Sequence, residues 1–313
     1  MSLGDKQPEM IRLKRLSHAA IGVRDLVRQA EFYVNMLGLE VVERASQHLY
    51  FRAGDGHHHV LELITPHRGL HHVSFEVADN DELDRSAEIL AKQNVPIILG
   101  PERGVEPGVG RLLRFRDPEG NIIELVAQAS AALDACRAHS VKSLSLNHAI
   151  LFAGDLRKQQ SFYEKVLGMR VSDTVPGFMT FLRCNPNHHS FGFVALPRRG
   201  LQHAAFDLPG RAELWEAIVH LGDAGFKRVD GPGRHGPGNM LFTYFEDPER
   251  NLLELCTEIQ QIHAASHHPR AWDADSALNI WNTSKRLGPP SGLRRLLPVL
   301  GMISKLSRHV VPS

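Results

Sequence analysis

Short apolar runs, separated by polar and Gly/Pro-rich turns, follow an order along the chain that repeats after about 130 residues. The segment HAAIGVRDLVRQAEFYVNMLGLE, starting at His18, matches HAILFAGDLRKQQSFYEKVLGMR, starting at His148. Asp25 thereby answers Asp155, Phe32 and Tyr33 answer Phe162 and Tyr163, and Leu37-Gly38 answers Leu167-Gly168. Further on, GLHHVSFEV (69–77) answers GLQHAAFDL (200–208), and RFRDPEGNIIEL (114–125) answers TYFEDPERNLLEL (243–255). Each copy opens with an apolar strand carrying a histidine and leads to an aspartate suited to cap a helix. Leu26, Ala30, Tyr33 and Leu37 then recur at helical spacing, and Gly38 or Gly168 supplies a helix stop. Further strands, a second helix (about 80–93 and 211–224) and two last strands follow, the latter flanking a Gly/Pro-rich loop and a DPEG or DPER turn. A βαβββ pattern used repeatedly predicts an α+β fold of small curved sheets in two tandem modules.

With 313 residues the chain has room for two ordinary domains. The repeat places them at 1–133 and 141–262, with a helical linker near 130–141 and a tail at 263–313 that belongs to neither copy. The tail ends in a basic amphipathic stretch, LRRLLPVLGMISKLSRHVV, expected to cover a module or a subunit neighbour. Pro298 and Gly301 weaken it as a membrane-surface helix. A net charge of +1, from 36 basic and 35 acidic residues, leaves no electrostatic footprint for nucleic acid. No apolar run is long enough to span a bilayer. The three cysteines, Cys136, Cys184 and Cys256, are odd in number and far apart, which argues against a disulfide framework and for a reducing cytoplasm. The 19 histidines are the compositional oddity, since histidine serves metals and proton transfer.

Three of them matter through the repeat. In the second copy His148 (LNHAI), His203 (LQHAA) and Glu254 (LLELC) lie inside apolar strands, where an unpaired carboxylate is costly and metal coordination would settle that cost. Two imidazoles and one carboxylate on one face form a common mononuclear site for divalent iron or manganese. A lone strand histidine is ordinarily a hydrogen-bonded core residue. Here His18, His72 and Glu124 recur together at the corresponding places of the first copy, which favours the metal reading.

On these residues the chain resembles the vicinal oxygen chelate superfamily, and within it the type I extradiol dioxygenases, over about residues 15–260. The most specific likeness is GPGRHGPGNMLFTYFEDPERNLLEL (231–255), which joins His235, Tyr244 and Glu254 at spacings of nine and ten positions. The resemblance implies paired βαβββ units forming incomplete barrels, with the working metal, Fe(II) or alternatively Mn(II), in the C-terminal one on His148, His203 and Glu254. It implies cleavage of a catechol-type ring with dioxygen, with His189 as the acid–base group and Tyr244 and His235 hydrogen-bonding the substrate. It also implies a homo-oligomer. Relatives usually lose the N-terminal ligands, whereas His18, His72 and Glu124 are all present in this chain. Aligning the last strands without gaps sets Val105 opposite His235 and Arg114 opposite Tyr244, and only His58 remains, opposite His189, so the N-terminal copy is expected to be an empty scaffold, with a vestigial or structural metal as the alternative. Relatives that act on homoprotocatechuate carry an arginine and an asparagine where this chain has Asp230 and Ile150. A neutral or trihydroxylated ring, such as a trihydroxytoluene, is therefore the expected substrate. The competing expectations are a glyoxalase-like or other non-oxygenase metalloenzyme of the same superfamily, and a non-catalytic binding protein of that fold.

Overall fold

The computed structural model describes residues 9–130, 141–263 and 267–281. The expected linker helix and the basic amphipathic stretch lie outside these residues. Among the described residues no helix is long and apolar enough to cross a membrane.

The first module runs β1 (Leu13–Gly22), α1 (Leu26–Leu37), β2 (Glu40–Arg44), β3 (His48–Arg52), β4 (Leu61–Ile64), then β5 (Gly69–Val77), α2 (Asn80–Lys92), β6 (Ile97–Arg103), β7 (Arg111–Arg116) and β8 (Ile122–Ala127). The second repeats it as β9 (Ser145–Ala153), α3 (Leu156–Lys165), β10 (Arg170–Val175), β11 (Met179–Arg183), β12 (Phe191–Ala195), β13 (Leu201–Asp207), α4 (Arg211–Asp223), β14 (Arg228–Arg234), β15 (Leu241–Glu246) and β16 (Leu252–Thr257). These are the expected paired βαβββ units. The helices begin where the aspartates predict: Asp25 accepts from the backbone N–H of Arg28, and Asp155 from that of Lys158. Gly38 closes α1 in the left-handed conformation at φ 69°.

The first sheet has the order β2-β3-β4-β1-β5-β8-β7-β6, and the second β14-β15-β16-β13-β9-β12-β11-β10. Neither closes, so each is an incomplete barrel. In both, the two units meet through the antiparallel pair of their first strands, β1 with β5 and β9 with β13. The tail adds to the second sheet. Arg270–Ala271 (β17) pairs with β10, and a short helix, α5 (Ala274–Leu278), follows it.

One apolar core runs through both modules. Phe191 joins them, with its ring stacked on Tyr163 at 4.9 Å and edge-on to Phe75 at 5.4 Å. The DPEG and DPER turns have a role that their local sequence does not reveal, because each serves the other module. Asp117 accepts from Tyr163 Oη (3.2 Å) and Gln159 Nε2 (2.8 Å), while Glu119 takes the N–H groups of Gly154 and Asp155 ahead of α3. Reciprocally, Asp247 accepts from Tyr33 Oη at 3.1 Å, and Glu249 takes the N–H groups of Arg24 and Asp25. Asp117 also satisfies the side-chain amide and backbone N–H of Asn121 within its own turn. Asp117→Ala strands several buried donors at roughly 1–3 kcal/mol each. It is expected to lower unfolding stability by about 3 kcal/mol or more in urea titration; a loss below about 1 kcal/mol would remove these turns from the inter-module lock.

Candidate metal centre

The centre is built from four neighbouring strands of the second sheet. Ala205 on β13 sits opposite both His148 on β9 and Glu254 on β16, and Glu254 sits opposite Tyr244 on β15. His203 precedes Ala205 by two residues and so shares its face, because side chains alternate with period two along a strand. The small side chain at Ala205 leaves room for its larger neighbours to converge over the curved sheet. His148 Nε2 is 3.0 Å from His203 Nε2, and Glu254 Oε2 is 3.3 Å and 3.1 Å from those two atoms. Ligands at right angles on bonds of about 2.1 Å are spaced by about 3.0 Å, so the set fits three adjacent positions around one divalent cation.

The surroundings support that fit. His148 Nδ1 contacts Asn147 Oδ1 at 2.8 Å and His203 Nδ1 contacts Gln202 Oε1, which turns each bare Nε2 toward the centre. Glu254 is fully buried, yet neither of its oxygens accepts a properly aligned hydrogen bond. Burial alone would raise its carboxyl, but the adjacent His148 and His203 outweigh this and hold it well below the usual range. A charged carboxylate left in this state is costly unless a cation completes it.

His189 lies with its ring 4.5 Å from that of His148. His188 is fully buried, contrary to its exposed-looking NPNHHS sequence, and bridges His189 to Asp173 with Nδ1–Nδ1 and Nε2–Oδ2 distances of 3.0 Å and 3.1 Å. Asp173 is anchored by the N–H of Arg270 (2.8 Å) and by Trp272 Nε1 (2.6 Å), both from the tail. A carboxylate at one end sets the tautomers along the relay: His188 Nε2–H donates to Asp173, His189 Nδ1–H donates to His188, and His189 Nε2 is left with its lone pair. Burial, with His148 and His188 nearby, keeps the His189 pKa well below its ordinary value, so the ring is neutral at pH 7.

His235 stacks on Phe242 at 3.7 Å and donates through Nδ1 to the Leu278 carbonyl at 2.6 Å. Its Nε2 therefore accepts from Tyr244 Oη at 3.2 Å and lies 3.7 Å from Glu254 Oε1. The glycines around His235 let the tail approach: a Cβ at Gly236 would stand 2.4 Å from the Ser276 carbonyl oxygen. These groups face a cavity of about 450 Å³ whose apolar lining includes Phe152, Phe178, Phe181, Val194 and Leu252. The sequence-based expectation thus brings His148, His203, Glu254, His189, His235 and Tyr244 to one place. It misses Asp173 and the tail's Leu278, which no local motif marks.

The first module repeats the row, with His18 opposite Ser74, Ser74 opposite Glu124, Glu124 opposite Arg114, and His72 two residues before Ser74. Two alignment expectations are corrected here. Ala19 pairs with Leu61 as Ala149 pairs with Phe191, so His59 rather than His58 takes the place of His189, and its ring lies 4.3 Å from that of His18. His58 contacts His59 from outside, as His188 contacts His189. The group reaching the cluster from the Gly/Pro loop is Glu106, not Val105, which is exposed. The loop after β6 (104–110) is one residue longer than the loop after β14 (235–240), while the two hairpins keep the same register, and this defeats a gapless comparison; a carboxylate one place along in GVEPGVG was the signal available. Arg114 donates Nε–H to Glu124 at 2.7 Å and also pairs with Glu106. Burial and the Glu106 charge push the Glu124 pKa up to about 7.

Tandem modules of paired βαβββ units, with a buried two-imidazole, one-carboxylate centre in the second, define a vicinal oxygen chelate protein. The chain belongs to the Glyoxalase/Bleomycin resistance protein/Dioxygenase superfamily, whose family model matches residues 15–125 and 145–255. Metapyrocatechase 2 of Cupriavidus necator is 26% identical over 288 residues, spanning 85% of this chain and 88% of that protein. The iron-dependent extradiol dioxygenase of Rhodococcus jostii (strain RHA1) is 25% identical, spanning 88% of this chain and 98% of that one. Among solved structures, the Mn(II)-bound glyoxalase from Novosphingobium aromaticivorans superposes with a TM-score of 0.82 at 25% identity, over 87% of this chain and 91% of that one.

Proposed function

We propose that the protein is an extradiol dioxygenase that opens a catechol-type ring with both atoms of O2, using Fe(II) or Mn(II) held by His148, His203 and Glu254. The observation that carries this reading is the convergence of three facial ligands with His189, His235 and Tyr244 on one apolar cavity. In this reading residues 1–133 are the scaffold module, 141–262 the catalytic module, and 263–313 a tail that closes the cavity through Ala277 and Leu278. Similarity to relatives named as metapyrocatechase and extradiol dioxygenase supports it.

The ion, when bound, supplies the electron transfer without which dioxygen and a closed-shell ring react only slowly. The chain's own groups do the rest. The apolar walls exclude water and orient the ring. His235 Nε2, freed from Tyr244, accepts a proton or hydrogen bond from a substrate hydroxyl, and Tyr244 Oη then donates to the neighbouring substrate oxygen. His189 Nε2, bare and neutral, takes up a proton on the oxygen side of the site and returns it as the ring opens. His188 and Asp173 are positioning residues that hold that tautomer. Asp173→Asn is expected to lower kcat by about tenfold or more, the order found for outer-shell partners, with KM little changed. Equal kcat would detach the relay from turnover.

Asp230 lies on the cavity wall, where it could receive a third hydroxyl, which supports a trihydroxylated ring such as a trihydroxytoluene within this class. Arg198 and Arg250 also line the wall, so a carboxylated ring is less disfavoured than Asp230 and Ile150 suggest. The test is anaerobic reconstitution with ferrous iron, then oxygen uptake on substituted catechols, trihydroxybenzenes and carboxylated catechols. Stoichiometric uptake with a yellow ring-opened product is expected. No uptake with any diphenol, despite bound metal, would overturn the reading in favour of a non-oxygenase of the same superfamily.

A further inference from the structure

We propose that the N-terminal module holds a second divalent cation, of the zinc type, on His18, His72, Glu106 and Glu124, as a closed structural site. The ligand atoms of these four residues all lie within 4.8 Å of one another. His18, His72 and Glu124 are 0% exposed and Glu106 is 6% exposed. Four nitrogen and oxygen ligands with no open position are the pattern of a structural rather than a catalytic zinc site.

The spacing differs from that of the C-terminal centre in an informative way. Tetrahedral ligands on bonds of about 2.1 Å are spaced by about 3.4 Å, against about 3.0 Å for right-angled ones. His18 Nε2 is 3.4 Å from Glu106 Oε2 and 3.4 Å from Glu124 Oε1. His72 Nε2 is 3.7 Å from Glu124 Oε1 and 3.6 Å from Glu106 Oε1, the oxygen that Arg114 holds, and the imidazole nitrogens are 3.1 Å apart. The N-terminal set therefore spreads toward four-coordination, with Glu106 as the added ligand.

Arg114 does not already neutralise the cluster. It takes one oxygen of each carboxylate, and the remaining ones, Glu106 Oε2 and Glu124 Oε1, accept no hydrogen bond although they are buried and face His18. His59 Nε2 is buried without a partner 4.0 Å from Glu106 Oε2. A third buried carboxylate, Glu62, stands on the adjacent strand and is paired with His48. With Glu62 taken up by His48, Glu106 and Glu124 face the one guanidinium of Arg114, which holds both glutamates in position as a clamp and leaves one oxygen of each for a doubly charged ion. Arg114 stands where Tyr244 does in the other module, so this ion would be sealed from substrate.

The test is zinc content per chain after chelation and equilibrium dialysis against zinc, together with thermal unfolding. About two ions are expected in the unaltered protein, about one in His203→Ala and about one in Glu106→Gln. Zinc is expected to raise the melting temperature of His203→Ala. A His203→Ala protein that takes up no zinc would overturn the proposal, and so would a folded Glu106→Gln protein with undiminished zinc. If Glu106→Gln does not fold, the His203→Ala result decides alone. Failure of the C-terminal assignment gives a different pattern, in which His203→Ala loses no ion while Glu106→Gln still loses one.

Discussion

His203→Ala is expected to remove the metal from the C-terminal centre and abolish oxygen uptake on every catechol. His203 supplies one of the two imidazoles in the proposed ligand set, and its Nε2 lies 3.0 Å and 3.1 Å from His148 Nε2 and Glu254 Oε2. Without it, two ligands remain on a face that needs three, and a catechol would have to compete with water for the loosened ion. The loss is therefore one of binding as well as of rate. Ferrous iron measured per chain after anaerobic reconstitution, with an oxygen electrode on the same sample, checks it. Iron held at the unaltered level with activity intact would sink the ligand assignment. The variant retains Glu254 buried against His148 alone, so its fold should be verified first by circular dichroism.

His189→Asn is expected to keep the metal and slow turnover by about 10²–10⁴-fold, the usual cost of losing a general acid–base group. Asparagine is smaller but can still accept from or donate to His188, and it cannot carry a proton between substrate and oxygen. His189 touches no ligand atom through a metal-directed nitrogen; its ring lies beside His148 and opens onto the cavity. The separation of effects is the point: metal content and substrate KM should change little while kcat collapses. Single-turnover kinetics under anaerobic loading followed by oxygen mixing would localise the loss to the step after oxygen enters. Unchanged kcat would remove His189 from proton transfer and leave His235 as the sole candidate.

Much of this protein can be read along the chain. The βαβββ order, the aspartate caps at Asp25 and Asp155, and the helix stop at Gly38 are local events, decided by residues within one or two turns of each other. The six residues assigned to the C-terminal site were legible because the repeat turns single histidines into a pattern, and because the run from His235 to Glu254 follows the consecutive strands β14, β15 and β16, whose spacing survives in sequence. Period-two alternation then dictates that His148, Ala205, Glu254 and Tyr244 share a face once the strands are in register.

What the chain order does not carry is which residue a loop of altered length presents, or which distant segments meet. A loop one residue longer after β6 than after β14 brings Glu106 rather than Val105 to the N-terminal cluster, and the pairing of β1 with β4 puts His59 rather than His58 against His18. The relay from Asp173 through His188 to His189 is anchored by Arg270 and Trp272, nearly a hundred residues further along, and His235 takes its tautomer from the Leu278 carbonyl. The turns at Asp117 and Asp247 look like ordinary local turns, yet each accepts from the other module. Side-chain identity and local spacing therefore determined the elements and the residues proposed as metal ligands. Which proton each histidine carries, which carboxylates face one another and how the modules lock were decided by the folded chain, because buried polar groups take whatever partner the packing brings within about 3 Å.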